Sequence, residues 1–306
     1  MSTAATTSQT TPDRLTLIAF ATFILLGGAA PIAVRFIYDE IAPFWSGVLR
    51  FGVAAVIFWT LLLLRRVPFP RGQAMLGAIL FGILSFGLSF VLIYYGLIKT
   101  PTSLFQIIAA IVPILTIFFA AAHRLEPLRR RGVTGGIIAM VGIVIAVSGS
   151  LFSGVEVSIP HVLAIAASSA CFAESGIVIK LFPPSHPIST NAVAMTVGAL
   201  IMASASLITG ESRNLPSSTS TWLAMVFLIL GATVIGFLLY LFALKRWTAS
   251  GISYGFVLYP IVTVVLATFL TDEKISPLFL VGAAVVLLGV FVGALMPNKS
   301  KVKFKE

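Results

Sequence analysis

Residues 111–128 read IVPILTIFFAAAHRLEPL, and residues 258–278 read LYPIVTVVLATFLTDEKISPL. Superposed on Pro113 and Pro260, the two runs stand 147 residues apart, and further landmarks then coincide: Glu126 with Glu273, Lys99 with Arg246, Ser103 with Ser250, and Gly142 with Gly289. Each copy carries a proline near the middle of an apolar run and a glutamate 13 residues later. Self-similarity of this length fixes architecture before any local motif is read.

The composition says what solvent the fold meets. Of 306 residues, 58% are hydrophobic and only 10% charged, and the mean hydropathy is +1.08. A soluble domain has ~25% charged residues and ~45–50% apolar ones. This chain cannot cover itself with polar groups, so a lipid bilayer is its expected surroundings. The net charge of +10 lies in short turns between apolar runs, which fits membrane orientation and not a nucleic-acid partner. The single cysteine, Cys171, lies inside an apolar run and reads as a small buried residue, with no intrachain disulfide framework. The polar, Ser/Thr-rich start, MSTAATTSQTTPDR, reads as disordered. The first apolar run after it lacks a cleavage signature and reads as a retained helix.

A membrane-spanning helix needs ~20 mostly apolar residues. Ten such runs are present, at about 15–34, 43–64, 73–97, 102–122, 132–151, 161–182, 188–208, 222–244, 250–270 and 277–296. Pro43, Pro101, Pro160, Pro187 and Pro277 stand where helices begin, where a missing N–H costs nothing. With the N-terminus in the cytoplasm, the inside segments hold 15 Lys and Arg residues and the outside segments four. That asymmetry places both termini inside. The expected fold is therefore an all-α membrane protein of ten helices in two inverted five-helix repeats, 15–151 and 161–296. A 152–160 linker joins them, residues 1–14 precede them, and a basic tail, 297–306, follows. Five helices per repeat make the second copy enter from the opposite side, the arrangement of secondary transporters.

The residues also resemble a known family. AVRF at 33–36, Pro43 and LRF at 49–51, then Pro113 followed by Arg124, Leu125 and Glu126, and FALKRWTASGISYGFVLYPIVTVVLATFLTDEKI at 242–275 are similar to the motifs of the drug/metabolite transporter superfamily, specifically its EamA-type ten-helix members. The likeness covers nearly all of residues 15–296. It departs from the family pattern at Gly27, where a tryptophan is common, and in the GER triplet, replaced by His123-Arg124-Leu125-Glu126 and by Thr271-Asp272-Glu273. Met195 leaves Arg50 without a symmetry mate. The resemblance implies a central substrate path and export of amino acids or related small metabolites across a bacterial inner membrane.

Candidate site residues follow from polar groups in apolar helices. Glu174, in the sixth run, is the deepest acid expected; an intramembrane carboxylate faces a cavity, pairs, or stays protonated. It is a candidate for proton coupling or for a substrate ammonium, the plainer alternative being a structural pair with Arg50. Arg50 is a candidate for a substrate carboxylate, against the plainer role of snorkelling or capping. Gln106 and Ser253 correspond under the repeat, and with Tyr254, Tyr95 and Tyr240 they suit a mostly apolar pocket. Tyr94 reads as interfacial. Pro113 and Pro260 are candidate hinges, each unable to donate to the carbonyl four residues earlier. Small residues at Gly135, Ala139, Gly142, Gly282, Gly289 and Gly293 read as close helix packing within one chain, with a weak homodimer as the alternative to a monomer.

Other function classes lack their motifs. The histidines, His123, His161 and His186, fall at run ends. No Ser/His or paired-Asp site is placed in the apolar runs, no Cys/His spacing fits a metal, and no GxxxxGK[ST] binds ATP. No enzyme activity, no metal and no cofactor is expected. The alternatives are an exchanger of nucleotide sugars or phosphorylated sugars, whose anionic cargo would favour several basic residues, and a membrane-embedded enzyme.

Overall fold

The computed structural model describes residues 13–125, 130–152, 158–247, 249–253, 255–270 and 276–292. Among them the regular structure is entirely helical. Eight helices are long and apolar enough to cross a membrane: α1 (Arg14–Ile37), α2 (Pro43–Leu64), α3 (Gln73–Leu97), α4 (Thr102–Ala122), α5 (Arg130–Phe152), α6 (Ile159–Leu181), α7 (Pro187–Ile208) and α8 (Thr219–Arg246). Two shorter apolar helices follow, α9 (Gly255–Leu270), preceded by a short turn at Ala249–Ser253, and α10 (Pro277–Val290). Proline stands in the first turn of α2, α6, α7 and α10 as expected. The Asp13, Ser218 and Ser276 side chains cap α1, α8 and α10 by accepting from Thr16, Thr221 and Phe279 N–H groups.

The exterior is apolar and the polar groups lie inside. Leu64 and Phe269 are 75% and 80% exposed, whereas Arg50, Gln106, Ser168, Asn191 and Thr233 are buried. In lipid this is the favourable arrangement, since a polar side chain on the outer face finds no partner there.

The helix pairs repeat under one exchange. α2 packs on α7, and α5 on α10; α1 packs on α9 and α8, while α6 packs on α4 and α3. Replacing each helix of the first five by its counterpart in the second five, and the reverse, returns the same set of pairs. The chain is thus two copies of one unit, packed about a pseudo-two-fold axis. The repeat seen in sequence extends to backbone detail: α3 carries a π-helical stretch at Gly82–Leu88 and α8 one at Phe227–Ile235, and the 147-residue offset lays the first on 229–235.

The α5–α10 seam is where small residues are needed. A Cβ on Gly142 would lie 2.5 Å from the Val286 nitrogen, and one on Gly289 2.5 Å from the Ala139 nitrogen; Gly282 meets Ala146 more closely still. The glycines expected to pack helices within one chain do so, through α5 and α10. Gly293 lies outside the described residues.

The two proline helices differ. α4 is divided at Ala110 and Ile111, with Pro113 in the first turn of its second half. α9 runs unbroken through Pro260.

One end of the bundle, where α1 finishes and α2 begins, holds Tyr38; the opposite end holds His123. At the Tyr38 end the Glu211 carboxylate accepts from the Phe44 and Trp45 N–H groups at 3.0 and 2.8 Å, capping α2 from the end of α7. There too Glu40 accepts from the Ser217 and Ser218 N–H groups and the Ser217 hydroxyl. The Ser218 hydroxyl foremost, and then these three donors, hold its carboxyl down to about 2.

Candidate functional site

A cavity of about 100 Å³ lies between the two repeats, reaching from mid-bundle toward the Tyr38 end. Val34, Leu97 and Phe105, all close to that end of their helices, stand in its wall. Most of the lining is apolar and aromatic: Phe23, Phe90, Phe172, Phe237, Phe256 and Tyr259. The polar lining comes from Arg50, Gln106, Ser89, Ser168, Ser169 and Tyr94. A few orienting polar groups in an apolar wall is how small-molecule sites are built.

Arg50 is 3% exposed. Its Nε donates to Thr233 Oγ1 at 2.6 Å, and its Nη1 stands 3.5 Å from the Tyr94 hydroxyl. Its guanidinium carbon lies 5.0 Å from the Phe90 ring centre, within cation–π range. Among the described residues no carboxylate pairs with it; the ion pair found there joins His123 and Glu174. A guanidinium has five N–H donors; Arg50 lines the cavity with its Nε and Nη1 engaged by Thr233 and Tyr94. A buried cation without a carboxylate calls for an anion.

Gln106 supplies the complement. Its Nε2 donates to the Gly27 carbonyl at 3.3 Å, which fixes the amide's orientation. Its Oε1 is then buried with no donor. The space beside Gly27 is filled from across the interface: a Cβ there would collide with the Tyr259 ring. Arg50 and Gln106 thus both line the cavity, one bringing a cation and the other an amide whose buried oxygen lacks a donor, the two kinds of group that a carboxylate and an ammonium require.

Toward the His123 end the path is shut by rings. The Phe172 and Phe256 ring centres are 4.9 Å apart, Phe256 and Tyr259 4.9 Å, and Phe172 and Tyr240 5.6 Å. Behind them is a second space of about 10 Å³, lined by Tyr240, Ser253, Thr116 and Gly176, and sharing Val112, Phe172 and Phe256 with the first. It has room for about one water. Ser253 and Tyr240 therefore line this second space and not the main cavity.

Glu174 stands seven residues before the end of α6, about 10 Å from the helix terminus. It lies four residues, ~6 Å, past the middle of that helix on the His123 side. Its Oε1 lies 2.6 Å from His123 Nε2, and its Oε2 is buried without a partner. The pair joins the His123 end of α4 to α6. Arg50 and Glu174 have separate partners and do not pair, and Glu174 lines neither cavity. Tyr95 points away from the site, 38% exposed and stacked on His161 with ring centres 4.3 Å apart. Tyr94 takes the inward place instead, 1% exposed, its carbonyl accepting from the Tyr38 hydroxyl. Neighbours on a helix point ~100° apart, and Phe90, Tyr94 and Leu97 share the α3 stripe that faces the cavity. Tyr254 lies outside the described residues. Pro113 stands at the broken point of α4, directly after Val112 of the cavity wall; Pro260 follows Tyr259 directly in α9.

Among the described residues no three His, Cys, Asp or Glu side chains converge as metal ligands would. Two matches to one family model cover residues 14–148 and 159–294, one for each repeat. The chain belongs to the EamA-like transporter family. With it comes membership of the drug/metabolite transporter superfamily, and the chain is a multi-pass membrane protein. It is 26% identical over 292 residues to a Bacillus subtilis protein named uncharacterized transporter YyaM, with 93% of this chain and 95% of that one covered. It is 25% identical over 280 residues to the Escherichia coli uncharacterized inner membrane transporter YedA, with 89% and 87% covered. A solved structure titled crystal structure of protein matches its fold with a TM-score of 0.68 at 22% identity, over 92% of this chain and 96% of that chain.

Proposed function

We propose that this EamA-like chain is a secondary transporter carrying amino acids or related small carboxylate metabolites by alternating access. The observation that carries the reading is a pair of groups in one cavity, the Arg50 guanidinium with no carboxylate among the described residues and the Gln106 Oε1 with no donor. A zwitterion satisfies both at once, and the aromatic wall receives its side chain. A lone cavity cation suits a monocarboxylate better than a nucleotide sugar or sugar phosphate, which would need several. The distribution of Lys and Arg supports ten crossings, with both termini cytoplasmic and residues 15–151 and 161–296 as oppositely inserted repeats. The cavity then faces the periplasm of a bacterial inner membrane, and the aromatic partition is the closed cytoplasmic gate. Working direction is export.

Glu174 and His123 stand on the cytoplasmic side of that gate, where a proton could enter or leave with each cycle. Pro113 lets the two halves of α4 bend as the gate opens. One chain contains the whole path, so a monomer suffices.

Uptake of labelled leucine, phenylalanine, threonine and glutamine into proteoliposomes, with and without a pH gradient, tests the reading. Saturable uptake of at least one supports it. Chemical conversion of a lipid or peptide by the protein in detergent, without transport, would replace it with an enzyme.

A further inference from the structure

Three serines stand in the otherwise apolar wall of the main cavity, Ser89 on α3 and Ser168 and Ser169 on α6, and all three are buried. Each hydroxyl is bonded to a backbone carbonyl: Ser89 to that of Ser168 at 3.1 Å, Ser168 to that of Ile165 at 2.7 Å, and Ser169 to that of Ile165 at 3.0 Å. A carbonyl has no proton to give, so the hydroxyl is the donor in every case. A hydroxyl has one proton and two acceptor lone pairs. With the proton spent on the backbone, each oxygen can meet a ligand only as an acceptor.

The other polar groups of the wall divide the same way. Arg50 brings only donors, and the Tyr94 hydroxyl, which accepts from Arg50 Nη1, keeps its own proton to give. Gln106 spends its amide nitrogen on the Gly27 carbonyl and keeps an oxygen without a donor. The cavity therefore has a donor set, Arg50 and Tyr94, and an acceptor set, Gln106, Ser168 and Ser169. The acceptors come from α4 and α6, which pack on each other. A carboxylate satisfies the donors and has no proton for the acceptors, whereas a primary ammonium has three N–H groups. Each serine oxygen is also the better acceptor for donating elsewhere, since linked hydrogen bonds polarise one another.

We infer that Ser168 and Ser169 are specificity-determining residues whose hydroxyl oxygens accept from the substrate's ammonium beside Gln106, and so select primary amines. The inference rests on the amino-acid reading above and names the residues of its amine half. Three acceptors match the three N–H groups of a primary ammonium. An N-methylated one offers two and brings a methyl group that an oxygen cannot receive as a hydrogen bond. Ser89 is a positioning residue: its bond to the Ser168 carbonyl ties α3 to the turn of α6 that carries both hydroxyls.

The test measures binding of leucine, phenylalanine, threonine and glutamine in detergent to wild type, to Ser169→Ala, and to the double variant Ser168→Ala, Ser169→Ala. For the amino acid that wild type binds most tightly, it adds the N-methyl derivative and the same carboxylate without the amine. Affinity for that amino acid falls about threefold to tenfold in Ser169→Ala and further in the double variant, as for the loss of one and then two hydrogen bonds. The amine-free carboxylate changes less than about twofold. The wild-type preference for the primary amine over its N-methyl derivative shrinks in the double variant. Small residues at a helix contact can serve packing alone, and that role predicts equal losses for all three compounds. Equal losses, or no loss in either variant, overturn the inference; an amine-selective loss in Gln106→Leu would then leave the amino-acid reading standing. If the double variant does not fold, Ser169→Ala decides. Wild type that binds none of the panel overturns the amino-acid reading and this inference with it.

Discussion

The Arg50 Nε donates to Thr233 Oγ1 at 2.6 Å across the interface between the two repeats. This bond orients the guanidinium, because Nε is fixed while Nη1 donates to the Tyr94 hydroxyl at 3.5 Å in the cavity wall. Arg50→Lys keeps the charge and loses the planar fork. Its affinity for an amino acid, measured by scintillation proximity, is expected to fall about 10–100-fold, as for loss of a charge-assisted bond of ~1.5–3 kcal/mol. Thr233→Val should fall less, about threefold to tenfold, since it disturbs only the aim. Unchanged affinity in Arg50→Lys would return Arg50 to a structural role.

Gln106→Leu removes the orphaned acceptor while keeping the volume. The account expects it to weaken amino acids about threefold to tenfold, and to leave carboxylates that lack an amine unaffected. Competition binding with leucine and 4-methylpentanoate distinguishes the two. Equal losses for both compounds would remove the ammonium from the assignment.

Pro113 marks a broken helix and Pro260 an unbroken one. In Pro113→Ala a new N–H can return to the Ala109 carbonyl and join the halves of α4. Turnover in proteoliposomes should drop severalfold with little change in binding, and Pro260→Ala should have the smaller effect. Full turnover in Pro113→Ala would show that the break is static.

Much of this was legible in the chain itself, for identifiable reasons. The repeat, eight of the span positions and the glycine packing of α5 on α10 depend on hydropathy and small residues, which sequence displays directly. Arg50 and Gln106 were legible because polar groups in apolar runs are few. The partner of Glu174 was not, since His123 lies 51 residues away in sequence and only the packing of α4 on α6 joins them. Choosing between Tyr94 and Tyr95 needed the rotation of α3. The cap that Glu211 places on α2 also depends on packing, through a contact 167 residues distant.

Glu40 gives a pH signature outside the membrane spans. Its carboxyl titrates at about 2 in the fold against 4.5 for the free group, so its contribution is complete above pH 4.5 and is lost as pH falls toward 2. Glu40→Gln should melt below wild type at pH 7, with the gap unchanged down to about pH 5 and shrinking below about 4.5. Differential scanning fluorimetry across that range reads it; a gap that widens on acidification would contradict the assigned cap.

At the α5–α10 seam, Gly142→Ala puts a methyl 2.5 Å from the Val286 nitrogen. Overpacking of this kind costs about 1–3 kcal/mol, or roughly 2–8 °C of melting temperature. A variant that melts with wild type would mean that the two helices separate freely at this point.

The central claim is that the cavity binds a zwitterion through Arg50 and moves it across the bilayer. Counterflow settles it most directly: proteoliposomes loaded with an unlabelled amino acid, given the same labelled amino acid outside, with wild type and Arg50→Met side by side. The account predicts transient accumulation of label by wild type, competed by the free amino acid but not by its carboxamide, and none by Arg50→Met. Accumulation by Arg50→Met equal to wild type, or equal competition by the carboxamide, would contradict it.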